Sequence, residues 1–437
     1  MRLPSLILAP LALLAATGAV AQQQSAFGCR ALQHEASVPV LEGADGIFFR
    51  RDIDLRMYHP MSSETVDLVG RLSEALAARG TVLIYVPVPT KSLSLPEALP
   101  AHAADYGFDP GIAAEVYDDI VARLRAEGVT TVDGRAALTG AQADEPVFIP
   151  TDFHWSSSGA RAVAEVTAEA IRETDIYDGL EKTAHETVSQ GVEPVFSEIR
   201  RQIQARCRET VPPAQTEVFE TGTTGDAAGG GLFAGDAGGP AIALVGTSMS
   251  RTEEFNFDGF LAQASGLEVA NYAIRGGNQY GSILSYMMSD DFAERPPDYL
   301  VWENPVYNNL GEFGELPLLE LIAAATDACT LLEDTRPGPQ TMAAEVPEGL
   351  LGRDDYLRAD AGSTRGGRAV EMTFVTEAGL EVTAKIERAQ RLDPTRRFYQ
   401  YLGPYWEDGI ATVVAEFDRA IPEDATLAIC KQEDDRS

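Results

Sequence analysis

Cysteine and histidine are scarce in this chain, and positive charge is in short supply. Its 437 residues include four cysteines and five histidines, with 34 Lys and Arg set against 67 Asp and Glu. No two cysteines lie close in sequence, so the paired spacing of a zinc site is missing and no metal is expected. The formal charge of −33 argues against a nucleic-acid partner and against anionic membrane surfaces. It would also repel an anionic glycan at long range, until salt screens it over about a Debye length of 8–10 Å. The simplest reading of that charge is solubility in a salty habitat. Long hydrophobic runs are absent beyond the N-terminus. No later stretch approaches the roughly 20 apolar residues that a spanning helix needs.

The N-terminus itself reads as a signal peptide over residues 1–21. Arg2 gives the positive end, Leu6 to Ala16 the apolar run, and Ala19-Val20-Ala21 the small-residue cleavage site before Gln22. The expected location is the periplasm. In an oxidising compartment, Cys29, Cys207, Cys329 and Cys430 predict two disulfides, with three pairings open. Cys29–Cys207 with Cys329–Cys430 is favoured, because each bond would then close one domain.

Patterning predicts an α/β domain over 22–335 and a β-sandwich over 336–437. Ser62–Ala78 has helical spacing, a serine cap and Gly80 beyond its end. Thr81–Val86 and Ala241–Val245 are continuous apolar runs, as in strands covered on both faces. Pro110–Glu127, Ser157–Glu173 and Tyr280–Ser289 read as helices, and Val129–Val132, Leu267–Ala270 and Tyr299–Trp302 as strands. Such alternation implies a mainly parallel sheet with flanking helices. Residues 221–240, rich in Gly and Thr, read as a loop. Pro337 and Pro339 mark a linker, after which Ala369–Thr376, Leu380–Glu387, Ala411–Phe417 and Thr426–Cys430 read as sandwich strands.

Two segments carry chemistry. Gly246-Thr247-Ser248 follows a buried strand, where open α/β sheets place their sites. By itself it is only a turn. Asp152-Phe153-His154-Trp155 sets an acid two residues before a histidine. In an extended strand end both would point the same way, so the carboxylate would orient the imidazole and the imidazole would take a serine proton. Ser248, His154 and Asp152 together make a nucleophile, a base and an orienter.

With Glu42–Phe49, Val86-Pro87-Val88-Pro89-Thr90-Lys91, Asn271-Tyr272-Ala273, Gly276-Gly277-Asn278 and Trp302-Glu303-Asn304-Pro305, these segments occur in an order that resembles the AlgX/AlgJ family of periplasmic alginate O-acetyltransferases. The catalytic domain of that family is similar to SGNH hydrolases. The Asp-His pair precedes the serine, which implies a permuted sheet. The resemblance implies that Ser248 is the nucleophile, His154 the general base and Asp152 its partner. It further implies that Gly277 and Asn278 complete an oxyanion hole and that Tyr307 touches substrate. The C-terminal sandwich looks like the carbohydrate-binding module of AlgX-type members. Arg358–Arg397 holds eight basic residues against six acids, and within it Arg365 and Arg368 are candidates for glycan carboxylates.

The implied reaction is polysaccharide O-acetylation through a serine ester, with no dissociable cofactor. Its partners would be the polymer, a membrane O-acyltransferase that relays acetyl groups, and other exopolysaccharide biosynthesis proteins. Two further readings stay open. With water as acceptor the same triad is an acetyl esterase, and without catalysis the chain is a glycan-binding scaffold of an export complex.

Overall fold

The computed structural model describes residues 25–57, 59–141, 145–224, 240–333, 335–364 and 366–431. The expected signal peptide, most of the Gly-rich 221–240 segment and Arg365 lie outside them. No described helix is long and apolar enough to cross a membrane.

Strands β1 (Val40–Glu42) and β2 (Phe48–Arg50) pair antiparallel. Then come β3 (Val82–Val88) and β4 (Thr130–Thr131), and a long hairpin of β5 (His185–Pro194) and β6 (Gln215–Thr223). After these follow β7 (Ile242–Val245), β8 (Val269–Asn271) and β9 (Tyr299–Pro305). Five of these strands form one sheet in the order β4-β3-β9-β7-β8, with every neighbouring pair parallel. The chain steps outward from β3 to β4 on one side and from β7 to β8 on the other. A reversal of that kind opens a crevice at the carboxyl ends of the central strands.

Both faces of the sheet are covered, which explains the unbroken apolar runs. Leu83, Tyr85, Ala243, Val245, Leu300 and Trp302 pack into one core, and Ile84, Val86, Ile242, Leu244, Tyr299 and Val301 into the other. The alternation is the two-residue period of a strand. The helix Ser63–Ala77 is capped as expected, the Ser62 hydroxyl accepting from the Thr65 amide, and Gly80 beyond it has φ 85°.

The C-terminal strands are β10 (Cys329–Leu331), β11 (Arg336–Pro337), β12 (Thr341–Glu345), β13 (Tyr356–Asp360), β14 (Ala369–Thr376), β15 (Glu381–Glu387), β16 (Arg397–Tyr401), β17 (Ile410–Phe417) and β18 (Thr426–Cys430). They form two antiparallel sheets, β10-β18-β13-β16 and β11-β12-β17-β14-β15, around Leu357, Phe374, Phe398, Val413 and Leu427. The Pro337 segment differs from the expected linker. Arg336–Pro337 pairs with β12 at a sheet edge, where a missing N–H is tolerated, and β10 ahead of it already belongs to the sandwich. Cys329 and Cys430 are register partners across β10 and β18 and are bonded, as are Cys29 and Cys207.

The two units are joined through buried charge. Glu320, on the helix Leu316–Thr326, takes a two-pronged pair from Arg388 of the sandwich at 2.7 and 3.3 Å, and both residues are buried. Arg396 and Arg397 bridge Asp290 of the α/β unit and Asp360 of the sandwich, and Arg358 pairs with Asp327. The basic excess in 358–397 is therefore largely committed to the domain junction. Arg368 likewise turns its Nε to the Leu392 carbonyl at 2.8 Å.

Candidate active site

The site forms at the carboxyl edge of the central strands. Gly246 follows β7 directly. Its amide donates to the Ser282 hydroxyl at 3.0 Å and its carbonyl accepts from the Ile274 amide at 3.0 Å. Thr247 is extended and caps the short helix Ser248–Arg251, its hydroxyl accepting from the Met249 amide at 3.2 Å. Ser248 is partly exposed and so open to solute.

Asp152 and His154 do not lie on a strand end as expected. They occupy a tight turn between Phe148 and Trp155, which form a single antiparallel bridge. The Ile149 amide donates to the His154 carbonyl at 3.0 Å, and the Asp152 amide to the Ile149 carbonyl at 3.1 Å. The physical reason is Asp152 itself. Its Oδ1 accepts the His154 backbone amide at 3.1 Å, and a short polar side chain that binds an amide two residues on favours a turn over a strand. The same oxygen accepts Nδ1–H of the imidazole at 2.5 Å. Nε2 then lies 2.8 Å from Ser248 Oγ, the hydroxyl donating. Residues 94 positions apart thus stand in hydrogen-bond contact.

Burial would raise the Asp152 carboxyl, but the hydrogen bonds and charge of His154, with help from the Ser197 hydroxyl, hold it at about 2. It is ionised at any working pH and keeps Nε2 as the proton acceptor. The Phe153 ring stacks at 4.0 Å from the imidazole and Phe255 flanks it at 5.7 Å. Tyr307 stands at the same place, its ring edge-on to Phe153 at 6.4 Å, with burial raising its hydroxyl pKa.

Several contributors escaped the sequence reading. Trp155 is fully buried, and its indole N–H donates to the Met249 carbonyl at 3.0 Å, tying the histidine turn to the helix Ser248–Arg251. Lys91 is fully buried behind the same turn. Its ammonium donates to the carbonyls of Phe48 at 2.9 Å, Ile149 at 2.8 Å and Pro150 at 3.3 Å. Burial pushes that ammonium down to about 8, against the pull of Asp54 and Asp152. The only sequence trace of either role was membership of the quoted Asp-Phe-His-Trp and Val-Pro-Thr-Lys segments.

Gly277 departs from expectation. Its amide is spent on the Ile274 carbonyl at 3.0 Å, so it is not open to an oxyanion. Asn278, next to it, is an exposed turn residue at φ 55°. From the strand before this turn, Asn271 also reaches the helix Ser248–Arg251, donating to the Ser250 carbonyl at 2.9 Å.

A doubly covered parallel sheet with a serine–histidine–aspartate chain at its carboxyl edge, followed by a β-sandwich, defines an SGNH hydrolase-like protein with an appended module. Residues 40–306 match the family described as SGNH hydrolase-like domain, acetyltransferase AlgX, and the chain belongs to that family. It is 32% identical over 274 residues to the alginate biosynthesis protein AlgX of Pseudomonas aeruginosa, which covers 62% of this chain and 57% of that relative. It is 32% identical over 296 residues to the probable alginate O-acetylase AlgJ of the same organism, covering 63% of this chain and 71% of AlgJ. The chain thus spans little more than half the length of the AlgX it matches. The solved structure of Pseudomonas aeruginosa AlgX superposes with a TM-score of 0.73 over 90% of this chain and 94% of that one. At 24% identity that likeness shows a shared fold, and its extent takes in the C-terminal sandwich.

Proposed function

We propose that this chain is a polysaccharide O-acetyltransferase that works through an acetyl ester on Ser248. The observation that carries the reading is the unbroken chain Asp152 Oδ1, His154 Nδ1 and Nε2, Ser248 Oγ. As Oγ attacks the acyl carbon, its proton passes to Nε2, and the buried Asp152 carboxylate stabilises the imidazolium. The tetrahedral intermediate collapses, and the donor's leaving atom takes the proton from Nε2. A sugar hydroxyl then gives its proton to Nε2 as it attacks the acetyl-serine, and Ser248 leaves with that proton. The Ser248 amide has no acceptor among the described residues and supplies one oxyanion donor, with Asn278 as the second. A good donor is worth about 3–4 kcal/mol in such a site.

The acceptor is a polymer such as alginate or an alginate-like exopolysaccharide. The relatives' names point that way. A cavity of about 690 Å³ adds support: it runs from Arg251, on the nucleophile helix, past Asn271 and Arg275 to Arg391 of the sandwich. Arg251, Arg275 and Arg391 are balanced there by Glu253, Asp291 and Asp393, so the lining is close to neutral in a chain that is otherwise strongly acidic, and its guanidinium groups are the part suited to uronate carboxylates. Arg368 is a further candidate glycan contact; Arg365, three residues earlier, lies outside the described residues. The two disulfides suit an exported, periplasmic protein. A membrane O-acyltransferase would bring the acetyl group, in company with other exopolysaccharide biosynthesis proteins.

The test is to incubate the purified chain with an activated acetyl ester, with and without deacetylated alginate. Acetyl esters on the polymer, formed at the expense of free acetate, are the expected result. Acetate released at the same rate in both arms, with an unmodified polymer, would make the chain an esterase instead.

A further inference from the structure

Glu303 stands in β9 with no solvent exposure, one step past the register pair of Val245 and Trp302, and so abreast of the nucleophile turn. All its bonds go to that turn. Oε2 accepts the Thr247 amide at 2.7 Å and the Ser250 hydroxyl at 3.0 Å. The Thr247 hydroxyl lies between the two oxygens at 3.1 and 3.2 Å. Among the described residues, no lysine or arginine pairs with it. Burial raises its pKa, and the donors of Thr247 and Ser250 oppose that rise.

A carboxylate held in a core by neutral donors alone is costly, and an apolar side chain would fill the same strand position more cheaply. The fold also makes room for it. A Cβ on Gly246 would come within 2.5 Å of Oε2 and 2.9 Å of the Glu303 Cβ, so residue 246 must be glycine while Glu303 stays. The effect on the turn is specific. The amides of Gly246, Thr247 and Met249 are engaged by Ser282, Glu303 and Thr247 in turn, and the Ser248 amide alone is left without an acceptor.

We propose that Glu303 is a positioning residue for the nucleophile: by holding Thr247 and Ser250 on either side of Ser248, it keeps Oγ at the imidazole and leaves the Ser248 amide free for the oxyanion. The inference rests on the reading of Ser248 as nucleophile and goes beyond it.

The experiment uses the full chain with Glu303→Gln, which keeps the shape but turns a donor toward donors, and Ser250→Ala, which removes one partner and leaves the carboxylate. Two readouts are taken. One is the rate at which a sulfonyl fluoride modifies Ser248, located by peptide mass spectrometry. The other is kcat and KM for a chromogenic acetyl ester. Glu303→Gln is expected to slow labelling and lower kcat by about 10- to 100-fold, the penalty of a misplaced reacting group, with KM within about twofold. Ser250→Ala is expected to lower both by about 3- to 10-fold, by loss of one of the bonds that fix the turn. Labelling of Glu303→Gln at the wild-type rate would overturn the proposal, as would a change confined to KM. Should that variant fail to fold, Ser250→Ala decides, and wild-type labelling of it would overturn the proposal. Absence of Ser248 labelling in the wild-type protein would instead overturn the reading of the nucleophile.

Discussion

Replacing Ser248 by Ala is expected to remove acyl transfer almost completely, lowering kcat by about a millionfold, as loss of a triad serine does. No neighbour can take its place. Ser250, two residues on, is buried and spends its hydroxyl on Glu303. Thr247 spends its hydroxyl there too and serves as the helix cap. Folding should be little affected, since the lost group is partly exposed and makes one side-chain bond, to His154. The check is hydrolysis of a chromogenic acetyl ester and acetylation of the polymer by the same preparation, beside a thermal melt. An activity within tenfold of wild type, on a par with an ordinary surface change, would mean that Ser248 is not the nucleophile.

Asp152→Asn is expected to cost roughly ten-thousandfold in kcat, the penalty of removing the orienting carboxylate from such a chain. Its single Oδ1 receives both the backbone and the ring N–H of His154, so an asparagine oxygen can keep the turn while the charge is lost. What disappears is stabilisation of the imidazolium and the bias toward the correct tautomer. Stability moves with pH in a defined direction. The folded carboxyl sits at about 2, below its ordinary 3.8. The ionised form is therefore favoured by folding, and its contribution is complete above the ordinary value. A shift of this size is worth about 2 kcal/mol at neutral pH. Asparagine should lower stability by about that much near pH 7, and the gap should narrow as pH falls from 3.8 toward 2. Urea unfolding of both proteins across that range tests the sign. A gap that widened toward acid would contradict it.

Much of the framework could be read from residue order. Thr81–Val86 and Ala241–Val245 announce strands covered on both faces because apolar residues follow one another without polar alternation, and the structure buries alternate side chains in two separate cores. Ala369–Thr376 and Thr426–Cys430 are strands to the residue, since their turns are marked by Gly and Pro. Where polar residues do structural work in the interior, the pattern misleads. The last parallel strand was expected to stop at Trp302, because Glu303 and Asn304 look like surface residues, yet it runs to Pro305 with both of them buried. A composition count cannot show that the carboxylate is matched by three donors from a turn more than fifty residues earlier. The same blindness applies to Lys91, whose partners are backbone carbonyls. It also applies to Arg388, Arg396 and Arg397, part of the local basic excess in the sequence, which are engaged by acids at the domain junction.

The site shows a related division. Residue types and order picked out Ser248, His154 and Asp152, but not the geometry that joins them. An acid and a base two residues apart share a strand face only in extended backbone. Here the carboxylate captures the His154 backbone amide and folds the segment into a turn instead. Gly277 is no oxyanion donor for a comparable local reason, because a 274–277 turn uses its amide on the Ile274 carbonyl. Trp155 ties the two motifs together in this fold, since its indole bonds the residue that follows Ser248.

The most direct test is to mix the chain with an activated acetyl ester, quench in acid within the first turnovers, digest it and weigh the peptide that contains Gly246-Thr247-Ser248. An acetyl group on Ser248 is expected to form in wild type, to disappear when deacetylated polymer is added as acceptor, and to be absent from Ser248→Ala. Turnover of the ester with the acetyl group on another residue, or with none on the protein at any time, would contradict that expectation.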